Sequence, residues 1–194
     1  MATKLALQLR ALTVPPVLVS AMLLLLYFFN NKVFESLEQL LVSLLLLVII
    51  PFSAYPLSYA VPAVRKRGRG GQRTLALVCS LIGYAGALLY SFLFPVSPEL
   101  FLIFITYFIS VAILTFCTSV LKLKASGHAC GTAGPLVFLV YFVGAAALVP
   151  CLVIAVAVVW SSLYLKRHTV MELVLGAAAA VCSLLITLAI FSFI

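Results

Sequence analysis

Two histidines occur in this chain, His128 and His168, and each stands beside basic residues, in Lys122-Leu-Lys124-Ala-Ser126-Gly127-His128 and in Lys166-Arg167-His168. Four residues after His168 comes Glu172, which is acidic. On a helix beginning near His168, that spacing puts the carboxylate one turn on along the same face, within reach of one ring nitrogen. The other nitrogen is then held basic and aimed outward, as a nucleophile or general base requires. The same spacing also suits a His–Glu pair that only stabilises a helix end. In the other element, Ser126 reads as a helix N-cap and Gly127 allows a close backbone approach. The first-turn amides there would attract an anion. With Lys122 and Lys124 alongside, this element suits a phosphate group, and His128 could protonate a departing oxygen. A capped membrane helix with interfacial lysines is the blander alternative.

The elements that must hold these residues follow from composition. Of 194 residues, 66% are hydrophobic and 8% charged, and the mean hydropathy is +1.33. A soluble domain carries roughly 25% charged residues. So little charge cannot coat a water-facing exterior, so the outer surface has to face hydrocarbon, where backbone groups are satisfied within helices or closed barrels. Runs such as 40–51 and 177–194 are apolar without the alternation of barrel strands. The expectation is an all-α polytopic bundle forming one domain over 1–194.

Seven spans are expected, at roughly 11–29, 37–61, 74–94, 100–121, 130–148, 150–166 and 170–193. A tight turn at Pro150 divides the fifth from the sixth. The first span is expected to be retained, because Phe29-Asn30-Asn31-Lys32 offers no small-residue cleavage site. Threading these spans puts Lys4, Arg10, Arg65, Lys66, Arg67, Arg69, Arg73, Lys122, Lys124, Lys166 and Arg167 on one side and Lys32 on the other. The positive-inside rule makes the crowded side, with the N-terminus and both histidines, cytoplasmic. A net charge of +8 carried in short connectors argues for lipid headgroups as partners and against nucleic acid. The five cysteines show no metal-ligand spacing and read as packing residues without disulfides. The glycines among Arg65–Arg73 do not fit a Walker motif, and the segment reads as a basic loop facing anionic headgroups, with direct contact to a substrate phosphate as the alternative.

Together the two histidine elements resemble the type-2 phosphatidic acid phosphatase superfamily. Ser126-Gly127-His128 is similar to its Pro-Ser-Gly-His motif, with Ala125 in place of proline. Ser161-Ser162-x5-His168-x3-Glu172 is similar to its Ser-Arg-x5-His-x3-Asp motif, with Ser162 where the family has arginine. The expected helical hairpin lies between them, and the resemblance covers roughly residues 100–193. Lys66-x6-Arg73 has the spacing of the family's first motif, but it lies two spans early and Thr74 replaces its proline.

The resemblance implies a six-helix core and a phosphatase or phosphotransferase acting on a lipid phosphate or isoprenoid (di)phosphate. It assigns His168 as the nucleophile that becomes phosphohistidine, Glu172 as its orienting carboxylate and His128 as the acid for the leaving alcohol. Ser126 and Gly127 would bind phosphate oxygens. Lys122, Lys124 and Arg167 are expected to supply the cations that the missing arginine would have contributed. Neither a metal nor another cofactor is implied, since two histidines and one committed carboxylate make a poor ligand set. The competing expectation is a catalytically inactive relative that binds or transports anionic lipid.

Overall fold

The computed structural model describes residues 2–193, and these are helical with no strand among them. In chain order the helices are α1 (Ala2–Leu12), α2 (Pro15–Phe29), α3 (Leu37–Ala60), α4 (Pro62–Lys66) and α5 (Gly68–Leu93). They continue as α6 (Pro98–Ser119), α7 (Gly127–Val143), α8 (Ala145–Tyr164) and α9 (Val170–Phe191). By length and apolar composition α3, α5, α6, α8 and α9 can each cross a membrane, and α1 with α2 form a further candidate bent by 51°. The chain is an all-α polytopic membrane bundle. Large apolar side chains such as Phe28, Phe92, Val149, Val153 and Val156 are exposed on its outside, where hydrocarbon would solvate them.

Three expectations about boundaries change. The turn between the fifth and sixth spans is at Gly144, not Pro150, which lies inside α8. Gly144 has φ 81 and ψ −154, a conformation open essentially to glycine, so the backbone and not the proline decides the break. The first span divides into α1 and α2, because Pro15 and Pro16 start a new helix whose first amides need no partners. The Arg65–Arg73 segment is mostly helical. Its break falls at Arg67 and Gly68 (φ 56), and residues 68–73 form the opening turns of α5.

Packing centres on α7, which lies against α2, α8 and α9, while α5 and α9 both pack on α6. Its 17 residues span about 26 Å, short of a ~30 Å hydrocarbon core, and its apolar stretch runs over 130–143. Phe104, Tyr107 and Phe138 are buried at the heart of the bundle, the last two rings stacked at 5.9 Å. A buried Thr106–Thr187 hydrogen bond of 3.0 Å joins α6 to α9, a contact of the kind that fastens membrane helices. In α3, Pro51 lacks an N–H and crowds the preceding turn, and the helix widens to a π-turn over Leu45–Ile49 just before it. The displaced Leu46 carbonyl lies so near Gly83 of α5 that a side chain there would collide with it. This dented wall, with Leu47 and Pro51, lines the cavity described next.

Candidate functional site

The chain is turned sharply to bring His168 into position. α8 ends with Lys166 in the left-handed region (φ 50), and the Arg167 N–H donates to the Ser162 carbonyl at 3.0 Å. That six-to-one bond is the Schellman arrangement, which reverses the chain at a helix end. Two residues later Thr169 caps α9, its hydroxyl accepting from the Glu172 N–H at 3.2 Å. Thr169-x-x-Glu172 is a capping-box sequence, in which the carboxylate usually returns to the cap residue's own N–H. Here Glu172 Oε2 instead takes the Nδ1 of His168 at 2.9 Å. The two side chains are only 14% and 16% exposed, so the pair is largely withdrawn from water. With Nδ1–H donating to the carboxylate, Nε2 is the ring nitrogen that carries the lone pair.

His168 Nε2 lies 3.4 Å from Ser126 Oγ. Ser126 is fully buried as the N-cap of α7, its Oγ accepting from the Ala129 N–H at 3.1 Å. Its hydroxyl proton is thereby left to point at His168. The connector is fastened to α9 a second time, by the Ser126 N–H donating to the Glu172 carbonyl at 2.9 Å. Gly176, one turn beyond Glu172, makes this seating possible. A Cβ there would overlap the Ser126 carbonyl and lie 3.0 Å from Ala129 Cβ. From the other side, Arg73 Nη2 donates to the Ala125 carbonyl at 2.8 Å. Two helices and an arginine therefore hold the Ser-Gly-His turn.

These groups edge a cavity of about 460 Å³, within the size range of small-molecule sites. His128, His168, Glu172, Lys124, Gly127 and Arg167 all line it. Two of the sequence-derived site residues do not. Ser126 stands behind the wall, since its oxygen is turned to the Ala129 amide and to His168, so it positions the histidine and does not face an occupant. Lys122 is exposed on the connector; the left-handed backbone there (φ 57) turns the chain, and the cavity is reached only at Lys124. Ser162, in the place of the family's arginine, is fully buried, has an unpartnered hydroxyl and does not line the cavity.

Arg10, Arg69 and Arg73, none of them among the expected site residues, also line it. For Arg73 a signal existed in the Lys66-x6-Arg73 spacing, set aside because the segment is far away in sequence; α5 packing on α6 brings it to the site. No motif marks Arg10. It arrives because α1 packs on α8.

The cavity mouth is strongly positive: Arg10, Arg69, Arg73, Lys124 and Arg167 line it against one carboxylate, Glu172, which His168 occupies. His128, in the first turn of α7 ahead of its apolar stretch, has a buried Nε2 with no hydrogen-bond partner, and so has Nη1 of Arg10. Burial first, then the positive charge of Arg10 and the nearness of His168, push the His128 pKa from the ordinary 6.5 down to about 4. Away from the mouth the walls are mainly apolar, through Val19, Leu47, Val111, Leu114, Val137 and Leu184, with Tyr84, Thr106, Tyr107 and Ser110 among them. A cationic mouth leading to an apolar chamber matches an amphiphile with an anionic head. Searches against family models, curated proteins and solved structures return no match to this chain.

Proposed function

We propose that the chain is a membrane phosphatase or phosphotransferase that acts on a lipid phosphate or an isoprenoid (di)phosphate through a phosphohistidine at His168, at the cytoplasmic face. The observation that carries this reading is one cavity edged by two histidines and five cations, with a carboxylate on Nδ1 of one histidine and an unpartnered Nε2 on the other. The similarity of Ser126-Gly127-His128 and of His168-x3-Glu172 to the two motifs of type-2 phosphatidic acid phosphatases supports it.

In this mechanism Nε2 of His168 attacks phosphorus as the bond to the lipid oxygen breaks, and Glu172 stabilises the imidazolium that develops. The cations spread along the mouth offset charge on the equatorial oxygens, where phosphoryl transfer is most sensitive. Burial holds His128 neutral at pH 7, but a phosphate dianion beside it reverses the local charge balance and favours its protonated form. It can then protonate the departing alkoxide and afterwards take a proton from the water that cleaves the P–N bond, releasing inorganic phosphate.

The test is phosphate release by purified protein from a panel of phosphatidic acid, phosphatidylglycerophosphate and polyprenyl diphosphates. His168→Ala should abolish release, and Glu172→Gln should lower kcat by two or more orders of magnitude with KM little changed. If wild type binds these lipids and releases nothing, the chain is instead a binder or carrier of anionic lipid.

A further inference from the structure

We propose that Arg10, on the N-terminal helix and outside both histidine motifs, is the guanidinium that receives the phosphate, which makes α1 one wall of the anion site. The inference deepens the proposed function and draws on the same cavity. Its Nη1 and the Nε2 of His128 are both buried, both without a partner, and both belong to residues lining that cavity. A buried nitrogen with nothing to bond to is costly, and more so when the group is charged. Arg10 is also crowded by like charge, since Arg69 and Arg167 line the same cavity. The carboxylate of Glu172 could relieve it but is bound to His168. One tetrahedral dianion at the mouth would satisfy both orphaned nitrogens and offset the repulsion.

The local fold places Arg10 firmly. It lies in the last turn of α1. Three residues beyond that helix, Pro15 packs onto Gly131 so tightly that a Cβ there would lie 2.8 Å from the proline Cβ. Gly131 is less than one turn after His128, so the end of α1 is set beside the opening of α7. At its other end α1 meets α8 through Thr3 Oγ1 and Tyr164 Oη at 3.4 Å. The other candidates for the missing guanidinium are weaker. Arg69, Lys124 and Arg167 are exposed, and Arg73 already holds the Ala125 carbonyl. A guanidinium also matches a phosphate's paired oxygens in a way that lysine does not.

The experiment measures binding of inorganic phosphate, by calorimetry and by the rise in Tm it produces, in the full-length protein, alongside lipid-phosphate turnover. Arg10→Gln should weaken phosphate binding and raise KM at least tenfold, Arg10→Lys should recover part of both, and Lys66→Gln should change neither. Added guanidinium ion should restore turnover to Arg10→Ala, which a purely structural arginine would not allow. Phosphate affinity and KM within twofold of wild type in both Arg10→Gln and Arg10→Lys would overturn the assignment, and turnover by those variants would leave the phosphatase reading standing. Arg10-dependent phosphate binding without any turnover would keep the anion site and remove the enzyme. A wild type that binds no phosphate would remove both. Should Arg10→Gln fail to fold, Arg10→Lys carries the comparison, since it keeps the stem and the charge.

Discussion

Replacing Gly176 with alanine puts one methyl group at the point where the two histidine elements are clamped together. The new Cβ would overlap the Ser126 carbonyl oxygen and stand 3.0 Å from Ala129 Cβ, whereas ordinary contact begins at 3.4 Å. Neither neighbour is the tip of a flexible side chain, so α9 and the Ser126 turn must separate by roughly one ångström. A separation of that size stretches the Ser126 N–H to Glu172 carbonyl bond from 2.9 Å to about 4 Å, beyond hydrogen-bond range. Overpacking of this kind costs about 1–3 kcal/mol, and the lost bond adds about 1 kcal/mol. The Tm in detergent should fall by several degrees. Because the same separation carries His168 away from Ser126 and the cavity mouth, kcat should fall by about 100-fold, the usual penalty for a misplacement of one ångström. The comparison is Gly70→Ala, where an added Cβ meets nothing and helix propensity should leave Tm unchanged or higher. Wild-type Tm and kcat in Gly176→Ala would refute the claim that this contact seats the site.

Two further outcomes are expected. His128 has a folded-state pKa of about 4 against an ordinary 6.5, so as pH falls through that window the unfolded chain takes up a proton first. Stability should therefore be level above about pH 6.5 and decline by on the order of 3 kcal/mol towards pH 4. His128→Asn should flatten that part of the Tm–pH curve and bound phosphate should do the same; parallel curves for wild type and variant would contradict the burial argument. For orientation, single cysteines at Gly70 and Lys32, both exposed, placed in a background without the native cysteines, should label from the cytoplasmic and outer sides respectively. The opposite pattern would move the proposed site to the outer face.

What the sequence determined by itself was whatever depends on local chemistry and on composition. Low charge and unbroken apolar runs leave a hydrocarbon-facing exterior no option but helices, and the observed bundle agrees. The His168–Glu172 contact was legible because i to i+4 spacing brings side chains together on any helix. The Ser126 cap was legible for the same local reason. Tertiary structure alone decided which distant groups share the cavity. Arg10 and Arg73 reach it by the packing of α1 on α8 and α5 on α6, and no spacing within the chain encodes a contact between helices so far apart. It also decided which local signals changed use. Lys122 and Ser126 belong to the same segment as His128, yet one is turned outside the cavity and the other sits behind its wall. The break between α7 and α8 fell to Gly144 because positive φ is nearly free for glycine, while Pro150 lies inside α8 without ending it. Ser162 could not have been read from its motif position, since its burial follows from how α8 is surrounded and not from the residues beside it.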